Sequence, residues 1–313
     1  MTITLNQLGE KIRASVQAAQ AAHPQPWHSF WQFRLNENFP PPKTEEPAAY
    51  DGTGRLNIAC TQTDLSARDQ KALVSRWCKA LPQLSSVRYL WFNSRVPQEL
   101  FDAACAVPNL EGLYVKWSGI ETIAALATAP ALKYFHLGSS ASLNSIEPLS
   151  ELKQLRWLEL ENIKRITDLN PVQDLINLDG FSFVGTDGGK STIKTFAPLA
   201  NLRELKWLHL GAIRAEDESL RPLSELQKLR WLGMGNFFSY EEFAWLSTQL
   251  PADICSWFQP FKDLGDSGIK CKKCNNGMVM LTGKAKGIIC PDCNKEKFQR
   301  HIATYREAAS AAC

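Results

Sequence analysis

Three features that would quickly assign this sequence to a functional class are scarce in it. No apolar run approaches the roughly 20 residues of a membrane-spanning helix, and the most apolar later stretch, residues 123–132, has about half that length. The 313 residues carry a formal charge of only +3, with 44% hydrophobic and 21% charged residues. Nine cysteines are too few and too unevenly spread for a small disulfide scaffold. Disordered, collagen-like and membrane-embedded classes are therefore excluded, and we expect about two globular domains.

The N-terminal residues lack the unbroken apolar stretch of a signal peptide, since Glu10, Lys11 and Arg13 interrupt them. We expect a cytoplasmic, reducing location and no membrane partner. Apolar residues at steps of three and four predict an amphipathic helix over residues 4–22. An aromatic cluster follows, and it could anchor this N-terminal arm to the body of the protein: Trp27, Phe30, Trp31 and Phe33.

A strand-like phrase recurs from residue 84 onward. Its copies are VRYLWF, LEGLYV, LKYFHL, LRWLEL, LDGFSF, LKWLHL and LRWLGM. The same place in each phrase holds an apolar residue: Leu90, Leu113, Phe135, Leu158, Phe181, Leu208 and Leu232. These positions are 22 to 27 residues apart, a period typical of solenoid repeats. A helix of two full turns scarcely fits between the strands, and TDGGKS at 186–191, inside the longest step, is interpreted as a loop.

These phrases resemble the leucine-rich repeat family in its short bacterial form of about 22 residues per repeat, as in the internalins. The resemblance covers about residues 84–250. It implies an α/β solenoid whose parallel strands line a concave face, with 3₁₀ turns or short helices on the convex side. The family usually has Asn or Cys three residues after the second strand leucine. This chain has other residues there, so we expect its turns to be held differently: Ser118, Ser140, Ile163, Thr186, Ile213 and Phe237.

Strand alternation points the residues on either side of each core position toward the concave face. Basic residues stand at the start of five of the seven strands, each directly before Tyr or Trp. Tyr, Trp and Arg dominate the hot spots of protein interfaces, and an exposed aromatic sheet invites a covering partner. The candidate partner-binding residues are Arg88, Tyr89, Trp91, Tyr114, Lys133, Tyr134, His136, Arg156, Trp157, Glu159, Lys206, Trp207, His209, Arg230 and Trp231.

Two other interpretations of this aromatic surface remain open. The rings could stack on one another as cross-strand pairs, a consequence of repeat duplication without any partner. The N-terminal arm could also fold over part of the face and hide it. Catalysis is not expected, because His136 and His209 are three repeats apart, roughly 15 Å at about 4.8 Å per strand. Glu159 beside His136 is more typical of a surface pair than of an acid–base unit.

The C-terminal part carries four cysteines with the spacing C-x2-C-x15-C-x2-C, namely Cys271, Cys274, Cys290 and Cys293. Two such turns joined by a hairpin bring four thiolates around one ion. With predicted strands at 278–281 and 287–289, the segment resembles a zinc ribbon, which implies one structural Zn²⁺ with no open position for a catalytic water. A redox role is the rival interpretation, but it needs a βαβ context and a single pair. The other cysteines are interpreted as free thiols, the first four of them buried: Cys60, Cys78, Cys105, Cys255 and Cys313.

Basic residues are concentrated in the same segment. Residues 262–300 hold nine Lys or Arg and four Asp or Glu, a balance of 9 − 4 = +5. Four thiolates on Zn²⁺ would offset part of that charge. Contact with DNA or RNA is therefore kept as an alternative function. The preferred hypothesis is a non-enzymatic scaffold or adaptor that binds a protein partner through its concave face, with the ribbon as a second docking element.

Four segments follow from these patterns. Residues 1–50 hold the helix and the aromatic, proline-rich arm, and residues 51–83 form an N-terminal cap with a strand at 55–62 and a helix that begins after Ser66. Residues 84–260 form the solenoid with its C-terminal cap. Residues 261–313 form the zinc ribbon and a closing helix.

Overall fold

The computed structural model describes residues 40–185, 191–264 and 268–312. The helix and aromatic cluster predicted within residues 1–39 lie outside the described residues, as do residues 186–190 of the predicted loop and Cys313. The chain divides into two compact units, residues 1–161 and residues 162–313.

The first unit is built on five parallel strands that pair in chain order. They are β1 (Arg55–Ile58), β2 (Tyr89–Phe92), β3 (Gly112–Val115), β4 (Tyr134–Gly138) and β5 (Trp157–Glu161). Two helices connect the first three strands: α1 (Ala67–Ala80) and α2 (Gln98–Cys105). Later connections use short 3₁₀ turns at Ala124–Thr128 and Glu147–Glu151. The expectation that no two-turn helix would fit is therefore wrong for the connection after β2, where α2 has eight residues.

Helix α1 follows from local sequence. The Ser66 hydroxyl accepts a hydrogen bond from the Asp69 backbone N–H, which confirms the N-cap half of the predicted capping box, and it donates one to the Asp69 carboxylate. Leu73, Val74 and Trp77 fall on one face of the helix and are buried. The cap therefore sets where the helix begins, and its apolar face packs it into the core.

The core of the first unit is the column of apolar residues that the repeat predicts. These residues pair in register from strand to strand: Leu56, Leu90, Leu113, Phe135 and Leu158. Each is at most 1% exposed. Because β1 pairs with β2 in the same register, it continues the ladder by one strand beyond the repeats recognised in the sequence.

The second unit has three parallel strands of the same kind, β6 (Gly180–Val184), β8 (Trp207–Gly211) and β10 (Trp231–Met234). A separate parallel pair joins β7 (Ser191–Ile193) to β9 (Ile213–Ala215). Phe181, Leu208 and Leu232 stand in register and are buried. The 3₁₀ turns in this unit's repeats span Asn170–Val172, Ala197–Asn201 and Arg221–Glu225, and helix α3 (Tyr240–Gln249) follows β10.

The C-terminal ribbon of the second unit is a three-stranded antiparallel sheet followed by a helix. Its strands are β11 (Phe261–Asp263), β12 (Val279–Leu281) and β13 (Ile288–Ile289), and α4 spans Lys295–Ser310. The two predicted strands are confirmed as β12 and β13, somewhat shorter than expected. The turn between them needs glycine, because Gly283 and Gly287 have φ of +112° and +83°.

The observed strands confirm the α/β leucine-rich repeat architecture. The turns that lack the family's Asn or Cys are stabilised by other contacts. In two of them the hydroxyls of Ser118 and Ser140 share a buried hydrogen bond of 2.7 Å. Ile163 and Ile213 are instead buried as apolar residues. Among the described residues, every helix is too short or too polar to span a bilayer.

Candidate functional site

Side chains on the strand face opposite the leucines form two columns in the first unit, and we call this surface the inner face of that unit. One column holds Arg55, Tyr89, Gly112, Tyr134 and Trp157, and the other holds Asn57, Trp91, Tyr114, His136 and Glu159. The columns predicted from strand alternation are therefore present as ladders. Each predicted residue in these columns pairs in register with the residue at the equivalent position of the adjacent strand.

The inner face is less exposed than the sequence suggested. Trp91 is 1% exposed and Trp157 is 4% exposed, so the expected wet aromatic surface is wrong for both indoles. The tyrosines of the two columns are half-buried. Rings shield one another: the centroids of Tyr89 and Tyr134 lie 6.2 Å apart. Gly112 stands between those two tyrosines in the register and has no side chain to separate them.

A buried polar pair crosses the second column. His136 Nδ1 lies 2.8 Å from Glu159 Oε2, and the Trp157 indole N–H donates to Glu159 Oε1, also at 2.8 Å. The Tyr114 ring stacks on the imidazole with centroids 4.3 Å apart. His136 is 2% exposed and Glu159 is 4% exposed, so the expected surface pair is wrong. Both carboxylate oxygens have donors, which is what makes burial of this group tolerable.

Three of the five basic residues at the strand starts form ion pairs with acidic neighbours. Arg88 and Lys133 both form ion pairs with Glu111, at 2.6 and 3.0 Å. Burial raises the pKa of the Glu111 carboxyl, but hydrogen bonds from Lys133 and Arg88 outweigh it and hold that pKa below its usual range. In the second unit Lys206 pairs with Asp179 at 2.8 Å. The two carboxylates thus offset two of the three positive charges, 3 − 2 = +1.

The inner face of the second unit is dominated by a tryptophan stack. The rings of Trp207 and Trp231 lie 5.0 Å apart and are nearly parallel, at 11°. His209 packs against both rings. Trp207 is 5% exposed, whereas Trp231 and His209 are half-buried and accessible. Gly233 makes room for this arrangement, since a Cβ there would lie 2.1 Å from the Trp231 ring.

The four predicted cysteine ligands converge in the ribbon. Their Sγ atoms all lie within 4.8 Å of one another. Cys271 Sγ lies 3.8 Å from Cys293 Sγ, and Cys274 Sγ lies 3.4 Å from Cys290 Sγ. Metal–sulfur bonds of about 2.3 Å in a tetrahedron place sulfurs about 3.8 Å apart. The separations and the donor chemistry therefore fit one four-coordinate metal ion.

Hydrogen bonds from the backbone and from side chains stabilise this arrangement of the four cysteines. Backbone N–H groups of Cys274 and Lys273 point at the Cys271 sulfur and lower the pKa of that thiol to about 6. Asn276 Nδ2 donates to Asp292 Oδ2 at 2.8 Å and so links the first cysteine turn to the second.

The cysteines outside the cluster have thiol pKa values shifted in the opposite direction from that of Cys271. Burial raises the pKa of Cys60 and Cys255 to about 12. Cys105 is also buried, as predicted, whereas Cys78 is only half-buried.

The ribbon is bonded to the repeats of its own unit through the turn after β12. Asn236 forms two hydrogen bonds there, donating to the Leu281 carbonyl at 2.9 Å and accepting from the Gly283 N–H at 2.7 Å. The Thr282 hydroxyl donates to the Gln259 carbonyl at 2.6 Å. On α4, the Tyr305 hydroxyl donates to the Trp257 carbonyl at 3.1 Å. Within this unit the ribbon is a docked part of the fold.

Sequence reasoning missed the residues that complete these sites. Glu111 and Asp179 stand at the two strand starts that are not basic, and their place beside the basic positions of neighbouring repeats was a usable signal. Asn236 carried no recognisable signal, because its partner lies 45 residues away. Long-range hydrogen bonds of this kind have no local pattern.

No protein-family model and no curated protein sequence matches the chain. Among solved structures, an internalin (inlF) from Listeria monocytogenes is similar at 23% identity and a TM-score of 0.46, over 55% of this chain and 48% of that one. An internalin C2 (inlC2) from the same species is similar at 24% and 0.45, over 55% and 77%. This chain thus spans about half the length of the first.

Proposed function

We propose that this protein is a non-enzymatic scaffold or adaptor that binds a protein partner through the inner faces of its repeats. The supporting observation is the density of aromatic side chains there, with Tyr89, Tyr134 and Trp231 half-buried and still accessible. Such rings offer a large contact area with few rotatable bonds. The compensated charges of Glu111 and Asp179 favour an aromatic contact over a purely electrostatic one.

The test is partner capture with variants that keep the fold. Tyr134→Ala and Trp231→Ala remove accessible rings, whereas Trp157 and Trp207 are buried and their loss would also damage packing. We expect affinity purification with mass spectrometry to lose specific proteins with both variants. Trp117→Ala is the matched control, because Trp117 is 39% exposed and lies outside both columns. Unchanged capture by Tyr134→Ala and Trp231→Ala would contradict the proposal.

We further propose that Cys271, Cys274, Cys290 and Cys293 hold one structural Zn²⁺. The support is the close approach of four thiols on two turns of a hairpin. When bound, the ion would supply a cross-link and no catalysis, because four thiolates leave no open position. Its effect would be to stabilise β12 and β13, whose ends lie beside the cysteine turns.

Elemental analysis tests the metal and its ligands. Purified protein should contain one zinc per chain, and Cys274→Ser should lose most of it. Cys78→Ser is the matched control, since Cys78 is a half-buried cysteine outside the cluster. Full zinc content in Cys274→Ser, or a different metal in the wild-type protein, would refute this assignment.

Nucleic-acid binding through the ribbon is the second candidate function. Lys270, Lys272 and Lys273 are exposed around the first cysteine turn. Other ribbon lysines are engaged, since Lys284 pairs with Glu218 and Lys286 lies 4.6 Å from the Tyr240 ring centroid. Phosphate contacts would weaken steeply with salt. Binding to an oligonucleotide that falls sharply between 50 and 200 mM salt, and that Lys272→Glu abolishes, would favour this candidate.

The segment boundaries and the location are proposals as well. We propose four functional segments, 1–50, 51–83, 84–260 and 261–313. We also propose a cytoplasmic location, supported by the thiols of Cys60, Cys105 and Cys255, which are buried and unpaired within the described chain. Limited proteolysis should cut at the segment boundaries first, and thiol titration after unfolding should detect these cysteines as reduced.

A further inference from the structure

The antiparallel sheet of the ribbon has one face packed on the ribbon core and an opposite face that points away from it. Val279, Leu281 and Ile289 lie on the core side and are buried, with Phe261 and Phe298 packed against them. Because successive side chains of a strand alternate between the two faces, the residues between these positions point the other way. We call that second surface the outer face of the ribbon.

Aliphatic and methionine side chains make up most of the outer face. Met280 stands in register between Lys262 of β11 and Ile288 of β13. Met278 precedes it on the same face, and its N–H donates to the Ile269 carbonyl at 3.3 Å, next to an isolated antiparallel bridge. Ile269 and Ile288 are each 42% exposed, and both methionines are half-buried. Neighbouring exposed apolar side chains mark an interaction surface, and methionine adapts its shape to varied partners.

The outer face ends at an open strand edge. β13 is the last strand of the three-stranded sheet. The Leu281 N–H donates to the Gly287 carbonyl at 3.0 Å, and hydrogen-bonded pairs alternate with non-hydrogen-bonded pairs in an antiparallel ladder. The next pair, Met280 and Ile288, is therefore of the second kind, and the Ile288 N–H and C=O point away from β12. An edge of this kind can accept an extended peptide as an additional strand.

The charge of the ribbon indicates the charge of the segment that would bind there. Four lysines of the ribbon are exposed and form no ion pair with a residue that the structure describes: Lys262, Lys270, Lys272 and Lys273. Lys262 Nζ lies 5.8 Å from the Trp257 ring centroid, a contact that leaves its charge uncompensated. Residues 262–300 keep a positive balance of 9 − 4 − 2 = +3 even when four thiolates on Zn²⁺ are counted. This charge favours an acidic segment and disfavours a second copy of the same basic ribbon.

The side chains of the outer face favour a protein segment over a nucleic acid. Bases bind to proteins largely by stacking on aromatic rings or on Arg. Among the described residues of the outer face, the side chains are aliphatic, thioether or Lys, and none is aromatic. Aliphatic side chains gain most from contact with other apolar side chains, because both surfaces then leave water.

We propose that the outer face and the open edge of β13 bind an extended, acidic segment of a protein partner that also carries aliphatic residues. The segment adds as a fourth strand beside β13 and places its aliphatic side chains on Met280 and Ile288. Its carboxylates are complementary to the exposed lysines. Main-chain bonds to the edge set its register, and the side chains give specificity. This inference rests on the proposed scaffold function and assigns the ribbon a partner chemistry different from that of the aromatic inner faces.

Binding of the full-length protein to a peptide array tests the proposal. The probes are peptides in which Leu or Ile alternates with Glu, and the same peptides with Lys in place of Glu are the charge control. We expect binding to the acidic set alone. Ile288→Thr keeps strand propensity but removes apolar contact, and should weaken binding about ten-fold. Ile176→Thr, at a 56% exposed isoleucine outside the ribbon, is its matched control and should not weaken binding.

A charge reversal on the outer face completes the test. Lys262→Glu should also weaken peptide binding, whereas Lys295→Glu, at an exposed lysine of α4, should not. Hydrogen exchange of β12 establishes that each variant is folded. The proposal is overturned if the wild-type protein binds none of the acidic peptides, or if folded Ile288→Thr binds them as the wild type does. Binding of a single-stranded oligonucleotide in place of the peptides, with loss in Lys262→Glu, would assign the surface to nucleic acid and overturn it as well.

The two proposals can fail separately. If Tyr134→Ala and Trp231→Ala leave partner capture unchanged while the ribbon still binds acidic peptides, only the proposed role of the inner faces is contradicted. If those two variants lose captured proteins while no acidic peptide binds, only the inference about the ribbon is overturned.

Discussion

The parallel strands of the first unit and the C-terminal ribbon differ most in how much apolar side chain each buries. In the first unit, the column from Leu56 to Leu158 is almost fully buried, and Phe101 of α2 packs against Phe135 with ring centroids 6.5 Å apart. The ribbon has a small buried cluster: Val279, Leu281 and Ile289, with Phe261 and Phe298 packed beside it.

This difference bears on the proposed metal site of the ribbon. Stacked repeats gain stability from each neighbouring interface, so the chain itself supplies a continuous core. A segment whose own buried cluster holds three aliphatic residues gains little from apolar burial against the conformational entropy of ordering its strands, and small folds of this kind commonly add a cross-link or a metal. The four thiols lie at the end of the hairpin opposite its docking turn, where the proposed metal would supply such a cross-link.

Removal of the metal should have the largest effect and should be confined to the ribbon. Structural zinc contributes on the order of 10 kcal/mol in small zinc domains. Cys290→Ser, at a buried position of the cluster, should therefore unfold residues 261–310 while β1–β5 stay protected in hydrogen exchange. Cys78→Ser should change neither region. If β12 stayed protected in Cys290→Ser, the apolar core of the ribbon would be sufficient to keep it folded. The ribbon would then not differ from the first unit in the way proposed here.

Loss of a core ring should damage the repeats without affecting the metal. Phe135→Ala removes a fully buried side chain and should lower the free energy of unfolding by about 3–5 kcal/mol. Urea unfolding measures this loss, and zinc content should stay at the wild-type value. A cost below about 1 kcal/mol would mean that the repeats do not depend on their apolar column as the comparison requires.

The buried polar pair should contribute less than the core. Glu159→Gln removes the charge that His136 and Trp157 face, and a cost of about 1–3 kcal/mol is expected from imperfectly satisfied buried groups. Glu225→Gln is the matched control, because Glu225 pairs with Arg203 on the surface and such pairs contribute little. Equal urea midpoints for the two variants would show that the buried contacts of Glu159 on the inner face do not contribute to stability.

The tryptophan stack should show the smallest effect. Gly233→Ala places a methyl group against the Trp231 ring and should push it off Trp207, at a cost of about 0.5–1.5 kcal/mol. Near-ultraviolet circular dichroism should report the lost ring coupling. Gly54→Ala is the control, since its Cβ would approach no atom closer than 3.6 Å. An unchanged spectrum for Gly233→Ala would show that the stack tolerates the added methyl.

Much of the fold was predictable because the same pattern of apolar strand positions recurs in each repeat. The positions from Leu90 to Leu232 were recognised as core, and strand alternation placed Tyr134 and Trp157 on the opposite face. The convergence of the four cysteines was predictable from their spacing alone. Strand β1 was seen only as part of a cap, because Leu56 has no copy of the repeat phrase around it.

The sequence by itself determined the period, the parallel ladder and the four converging cysteines, because each depends on spacing along the chain. Tertiary structure decided exposure and charge. Trp157 and Glu159 are buried although they lie on the face opposite the leucines, and Glu111 pairs with two basic residues 22 and 23 positions away. Whether a side chain is exposed to water or packed against another residue depends on residues distant in sequence, so only the tertiary structure determines it.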